Sequence, residues 1–184
     1  MIKSFEMTDE QKKLHKEYEN TQLDTKKWWR IGRENFHPST LDMLHKRGDC
    51  DDMVAKNPNT SKHTLQSIIK KHDTVESNSS VRAARMALEN PNVGADFLEK
   101  YNCNGVKNGR ARSYLMRGVA KNPNTPQKRL NHLFEEAKKD NDLSMFYILA
   151  SNKSLPKGLK GEARKKAQNF IDNYGGNAPP WYDI

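Results

Sequence analysis

One short phrase recurs three times in this chain and constrains its fold more than any other feature. The phrase contains an Asn-Pro pair followed by a second asparagine. Its copies span residues 54–60, 87–93 and 119–125. The Asn-Pro pairs begin at Asn57, Asn90 and Asn122, so the steps between them are 33 and 32 residues. A period of this length is typical of stacked helical repeats.

Apolar residues at fixed distances after each Asn-Pro pair predict one helix per repeat. Eight residues after the three asparagines stand Leu65, Leu98 and Leu130, and eleven residues after them stand Ile68, Tyr101 and Leu133. Residues three apart lie on one helical face. A second apolar or mixed run ends just before an asparagine at residues 80–88, 110–120 and 143–150. Each repeat is therefore predicted to be a pair of helices.

The Asn-Pro pair also predicts where one helix ends and the next begins. The residue before a proline is disfavoured in the right-handed helical region, and proline supplies no backbone donor, so the preceding helix must stop there. Thr60 and Thr125 are then expected to cap the following helices with their hydroxyl oxygens. Pro126 is expected at the first helical position, where its missing donor costs nothing.

Degenerate copies at residues 37–44 and 149–156 extend the array on both sides. The sequence thus predicts an all-α array of about four to five helical hairpins over residues 33–160. Residues 1–32 are expected to form an N-terminal arm, in which Thr8 to Gln11 is a capping box for an accessory helix. Residues 161–176 are expected to end a basic C-terminal helix, and residues 177–184 to form an extended tail.

The run from Val119 to Pro126, with Leu130 at its fixed distance, resembles the leucine-rich repeat variant family, which is related to HEAT-like repeats. The resemblance covers about residues 33–160. The period here is longer than is usual in that family, which indicates longer second helices or insertions. The resemblance implies a right-handed α-solenoid that serves as an interaction scaffold. It transfers no catalytic residue, because the repeat motif contains none.

The charge of the chain favours anionic partners without choosing among them. The 184 residues carry a formal net charge of +9, and the isoelectric point is near 9.5. Such a balance suits polyanions or acidic protein surfaces. No stretch reaches the roughly 20 apolar residues that span a bilayer, so we expect no membrane partner and a cytoplasmic location. The abundance of lysine and asparagine suggests an AT-rich bacterial or phage genome.

Several cations are predicted to form a basic stripe across neighbouring repeats. Arg110, Tyr114, Arg117 and Lys121 follow steps of four, three and four, which places them along one helical face. The residues of the stripe are Arg82, Arg85, Arg110, Tyr114, Arg117 and Lys121. Such a stripe could bind nucleic acid, with the tyrosine stacking on a base or sugar. A solvated basic face is the alternative interpretation.

Aromatic residues at both ends of the chain are the other candidate contacts. Trp28 and Trp29 lie in a basic run and precede Arg30. Adjacent tryptophans cannot face the same side of a helix, so one could seal the end of the array while the other contacts a partner. Trp181 and Tyr182 lie in the tail, which either folds back or docks on another molecule.

Motifs of known chemistry are absent from the sequence. It contains no phosphate-binding loop, no nucleophile elbow and no zinc-protease signature. The six histidines show no ligand spacing, and the acidic run at residues 49–52 is expected to be a solvated turn. We therefore expect no catalytic residue, no metal site and no cofactor.

Three hypotheses about function follow from these patterns. The first is a non-enzymatic adaptor that binds a protein partner or a larger assembly through a concave face and the tail. The second is a nucleic-acid-binding helical-repeat protein that uses the basic stripe, and the third is an enzyme. The first is favoured, because the sequence offers no set of acid, base and nucleophile for the third.

Overall fold

The computed structural model describes residues 6–48, 50–72 and 77–174, and within them the chain forms α-helices and no β-strand. The prediction of an all-α protein is therefore confirmed. The helices over these ranges are α1 (Asp9–Glu19), α2 (Thr25–Ile31), α3 (Pro38–Arg47), α4 (Asp51–Lys56), α5 (Lys62–His72), α6 (Asn78–Glu89), α7 (Ala95–Lys100), α8 (Gly109–Lys121), α9 (Gln127–Asp140), α10 (Leu143–Ser151) and α11 (Lys157–Tyr174).

The helices pack in two series. Helices α2, α4, α6, α8 and α10 each contact the next member of the set, and we call them the even layer. Among the odd-numbered helices, α1 contacts α3, α3 contacts α5, and α7 contacts α9. The two series are joined by pairs such as α5 with α6, while α11 packs against α10.

The predicted periodic leucines form the core between these series. Leu65, Leu98 and Leu130 have no exposed surface, and the residues eleven positions after each asparagine are also buried. The helices predicted before the asparagines at 90, 122 and 152 correspond to α6, α8 and α10, and the predicted ends agree within two residues. One continuous apolar cluster extends from Leu14 in α1 to Ala163 in α11.

A ladder of asparagine side chains ties the even layer together. We call Asn57, Asn90, Asn122 and Asn152 the ladder asparagines. The Nδ2 group of Asn90 donates to the backbone carbonyls of Ala55 at 2.8 Å and of Asn57 at 2.9 Å. The Nδ2 group of Asn122 donates to Leu88 at 2.7 Å and to Asn90 at 2.8 Å. The side chains of the ladder asparagines therefore donate to carbonyls at the end of the preceding even-layer helix, where the intrahelical donors run out.

The same arrangement holds at both ends of the ladder. Asn152 donates to the carbonyls of Ala120 and Asn122 at 2.7 and 3.0 Å. Asn57 donates to those of Ile31 and Glu34 at 2.5 and 2.9 Å. All four Oδ1 atoms accept a bond from the backbone N–H two residues later, at 2.8 to 2.9 Å. The ladder thus extends from α2 to α10.

The asparagine, rather than the proline, is the constant part of the phrase. Asn152 is followed by Lys153, yet its backbone angles of −71° and 122° match the −64° and 127° of Asn122, which is followed by a proline. Proline alone would explain the extended backbone only where it is present. The three hydrogen bonds of the side chain hold the same conformation at Asn152.

The predicted threonine caps are wrong. The Oγ1 groups of Thr60 and Thr125 are buried and donate back to the carbonyls of Val54 and Val119, at 2.5 and 2.6 Å. Their hydroxyls therefore close the end of the preceding helix instead of starting the next one. Ser61 accepts from the N–H of Thr64 instead, at the start of α5. Pro126 is the residue before α9 rather than its first residue.

The predicted boundaries near the two ends of the chain do not coincide with the ends of structural elements. In the N-terminal arm, the capping box of Thr8 and Gln11 is present, and Leu14 and Tyr18 are buried. The arm also supplies α2, so the first rung of the ladder lies across the predicted boundary at residue 33. The predicted boundary at residue 160 falls inside α11. Among the residues described, no helix combines the length and apolar character needed to cross a membrane.

Candidate partner-binding face

One row of side chains marks the same level on every helix of the even layer. These residues lie five positions before each ladder asparagine, and they are Asp52, Arg85, Arg117 and Tyr147. Just after α2, the carbonyl of Glu34 accepts a hydrogen bond from Asn57 in the same way that the carbonyl of Asn57 accepts one from Asn90. Trp29, five positions before Glu34, is therefore the equivalent residue of α2. We call these five residues the central row.

The two ends of the central row are aromatic and exposed. Trp29 retains 40% of its surface and Tyr147 retains 44%, and they are the large hydrophobic residues with the greatest exposure in the described part of the chain. The middle of the row differs, since Arg85 is 9% exposed. The face therefore offers two apolar contact points with a polar surface between them.

Arg85, a member of the predicted stripe, is held inside this face. Its Nε donates to Glu89 at 2.7 Å, and its guanidinium lies 4.2 Å from the ring centre of Tyr114. Burial alone would lower the pKa of Arg85, but the Glu89 carboxylate outweighs it and the pKa is raised. The sequence therefore placed Arg85 and Tyr114 together correctly, yet the tyrosine ring already stacks on a cation of the chain.

Other cations of the stripe are also paired within the protein. Lys121 donates to the second carboxylate oxygen of Glu89 at 2.8 Å. Arg82 lies 3.8 Å from a carboxylate oxygen of Asp52, and burial raises the pKa of that aspartate. Glu89 thus neutralises both Arg85 and Lys121, and Asp52 of the central row faces Arg82.

The third repeat completes the pattern. Arg117 lies 3.5 Å from a carboxylate oxygen of Asp142, the residue that caps α10. Burial would raise the pKa of Asp142, but bonds from Ser144 and Ser113 and the charge of Arg117 lower it. Arg110 stands apart from this group, exposed in the first turn of α8. The like charges predicted to repel along this face are therefore largely compensated by the carboxylates of the chain.

The two adjacent tryptophans have different surroundings, as their spacing requires. Trp28 is partly buried and packs against the core, while the ring of Trp29 meets it edge to face at 4.8 Å. Arg30 donates to Glu34 through Nε at 2.5 Å and Nη2 at 2.9 Å, and to Glu17 at 2.8 Å. These hydrogen bonds, which the Glu34 carboxylate accepts, raise the pKa of Arg30. Arg30 therefore fixes α2 against α1, and its charge is used within the protein.

The sequence did not predict a buried charged cluster around Asp51. The acidic run at residues 49–52, which contains this residue, is expected from the sequence to be a solvated turn. Asp51 is 5% exposed and accepts from His45 at 2.7 Å, His72 at 2.6 Å and Lys71 at 2.9 Å. Burial would raise the pKa of Asp51, but these three donors lower it well below its usual range. No signal in the sequence marks this cluster, because its members come from three helices and have no fixed spacing.

The same cluster contains a serine, histidine and aspartate in hydrogen-bonded order. His45 Nε2 lies 2.9 Å from the Oγ of Ser67, and its other ring nitrogen contacts Asp51. Acyl-transfer catalysis also needs unoccupied donors for an oxyanion near the serine. Ser67 lies in the interior of α5, where backbone N–H groups bond to carbonyls one turn earlier. The cluster is therefore better explained as a polar clamp between α3, α4 and α5.

The remaining candidates among the residues that the structure describes add no site. Within the described residues, no group of three or more histidine, cysteine or acidic side chains is arranged to hold a metal ion. Cys50 and Cys103 are buried thiols. Trp181 and Tyr182 of the predicted docking tail lie outside the described residues.

Comparisons with known proteins give no relative for this chain: it matches no family model, no curated protein and no solved structure. The resemblance to the leucine-rich repeat variant family therefore stays a prediction from the phrase itself.

Proposed function

We propose that this protein is a non-enzymatic adaptor, a right-handed α-solenoid that binds a protein partner or a larger assembly. The even layer supplies the concave binding face in this proposal, and the C-terminal tail supplies a second contact. The observation that carries the proposal is the central row, which has an exposed aromatic residue at each end.

The composition of this face suits a protein surface. Tryptophan, tyrosine and arginine are enriched where binding energy concentrates in protein interfaces. Trp29 and Tyr147 supply aromatic anchors, and Arg85 and Arg117 lie between them in fixed positions. Because these arginines are already paired, a partner would meet an ordered surface and would not have to order long side chains on binding.

The pairing also separates the leading hypothesis from its alternative. Binding to nucleic acid depends on cations that neutralise phosphates and release counterions. Carboxylates already lie next to most cations of the stripe. Asp52 lies next to Arg82, Glu89 next to Arg85 and Lys121, and Asp142 next to Arg117. Arg110 and Lys121 remain exposed enough to contact a phosphate, so nucleic-acid binding through the stripe is the second candidate.

A capture experiment tests the adaptor proposal. The tagged protein and its Trp29→Ala/Tyr147→Ala variant are used to capture ligands from nuclease-treated extract of the source organism. We expect a specific protein to be retained by the wild type and lost from the double variant. A matched Asn131→Ala/His132→Ala variant alters two exposed positions on α9 and should retain it. Equal capture by both variants, or a ligand that is captured only from untreated extract and that nuclease destroys, would contradict the proposal.

A further inference from the structure

A second group of cations surrounds Trp29 at the N-terminal end of the central row. The guanidinium of Arg33 lies 5.6 Å from the ring centre of Trp29, and the ammonium of Lys56 lies 5.9 Å from it. Lys26, one helical turn before Trp29, lines a surface hollow that Trp29 and Arg33 also border. All four side chains are exposed, and we call them the Trp29 cluster.

The cations of the Trp29 cluster differ from those of the stripe in their pairing. Among the described residues, no carboxylate forms an ion pair with Lys26, Arg33 or Lys56. The nearby acids are already engaged. Glu34 borders the hollow and uses both its oxygens on Arg30. Asp52, one helical turn before Lys56, lies 3.8 Å from Arg82. Three neighbouring positive charges without a counterion repel one another, so an anion bound among them would relieve an unfavourable arrangement.

Three members of the cluster, Lys26, Trp29 and Arg33, line an open hollow with a fixed wall. The hollow has a volume of about 560 Å³ and is bordered by Lys26, Trp29, Arg30, Arg33 and Glu34. This volume lies within the range of sites that accept small ligands or a few side chains. The ion pairs of Arg30 with Glu17 and Glu34 hold one wall in place. The site is therefore shaped before a ligand arrives.

We infer that the Trp29 cluster docks an acidic segment of the protein partner, a short run of aspartate or glutamate residues. This inference rests on the proposed adaptor function and names the chemistry of the partner. The carboxylates would lie among the three cations beside the indole of Trp29. Exposed charge pairs of this kind guide association and fix register more than they add affinity.

A peptide fits this site better than a single-stranded nucleic acid does. Nucleic acids bind to exposed aromatic residues by stacking bases on the ring face. Arg33 and Lys56 already lie over the ring of Trp29. A base would have to displace these cations, whereas a carboxylate could pair with them where they stand. The arrangement therefore favours carboxylates as ligands.

The test measures binding of a fluorescein-labelled peptide of about ten glutamates by fluorescence anisotropy, with an oligothymidylate of equal charge as the second probe. We expect saturable peptide binding at about 0.01 M salt that weakens at about 0.15 M, because exposed charges are screened. The Lys26→Glu/Arg33→Glu/Lys56→Glu variant should bind the peptide about tenfold or more weakly, and the corresponding glutamine variant should fall between.

A charge-matched control separates a local site from the effect of net charge. The Lys100→Glu/Lys128→Glu/Lys139→Glu variant changes the charge equally at exposed positions outside the even layer. It should bind the peptide within about twofold of the wild type, since binding depends on the local cluster. Equal weakening in both variants, tighter binding of the oligothymidylate, or no peptide binding at low salt would each overturn the inference. The capture experiment with Trp29 and Tyr147 would still test the adaptor function, because it needs no acidic ligand.

Discussion

Replacing Asn122 by alanine tests the physical basis of the ladder. The side chain has no exposed surface and makes three hydrogen bonds, two to carbonyls of the preceding helix end and one from the N–H of Asn124. Each such bond contributes about 1 kcal/mol net, and the groups left behind are buried, so the loss should be about 3 kcal/mol. For a chain of this size, that loss lowers the melting temperature by about 6–12 °C.

Urea unfolding followed by circular dichroism measures the change, with the slope m as a check that the unfolded reference is unaltered. Asn122→Asp should be at least as destabilising, because its carboxylate places an acceptor against two carbonyl oxygens. Asn131→Ala, at an exposed site on α9, is the matched control and should change stability by no more than about 0.5 kcal/mol. If Asn122→Ala and Asn131→Ala have the same effect, the ladder does not hold the layer together.

Three further predictions concern packing, charge and partner choice. A Cβ on Gly118 would lie 3.1 Å from the backbone oxygen of Arg85 in the facing helix α6. Gly118→Ala should therefore lower the free energy of unfolding by about 1 kcal/mol in a thermal unfolding experiment. In contrast, Gly161→Ala in α11 meets no atom within 4 Å and should stabilise by up to about 1 kcal/mol. Asp51→Asn should cost about 3 kcal/mol at pH 7. Because the folded-state pKa of Asp51 is lowered, its stabilisation is complete above the unfolded pKa of about 4 and is lost below it, so the gap between variant and wild type should narrow in acid. Glu89→Gln should release Lys121 and steepen the salt dependence of DNA binding by about 0.9 in a log–log plot, and an unchanged slope would show that Glu89 does not mask the stripe.

Much of the fold could be predicted because helical periodicity is a local property. The positions of Leu65, Leu98 and Leu130 relative to the asparagines marked the buried face, and all three are fully buried. The ends of α4, α6 and α8 were also readable from the proline that follows each asparagine. The role of the asparagine was not, because the partners of Asn90, Asn122 and Asn152 lie 30 to 35 residues earlier and only the stacked structure brings them near.

Less of the candidate site could be predicted, because pairing of charges depends on distant residues. Helical spacing placed Arg85, Arg117 and Lys121 on one face, as the structure has them. It gave no sign that Glu89 lies beside Lys121 or that Asp142 lies beside Arg117, since one acid belongs to the preceding repeat and the other to the next. Sequence spacing locates a face, and the net charge of that face depends on packing between repeats.

Photo-cross-linking at Tyr147 tests most directly whether the central row contacts a protein partner. A benzophenone amino acid is placed at position 147, or at Asn131 on α9 as the control, and the protein is irradiated in the source organism. The adaptor account predicts a discrete protein adduct from position 147 that resists nuclease and is absent from position 131. Equal adducts from both positions, or an adduct from position 147 that nuclease removes, would contradict it.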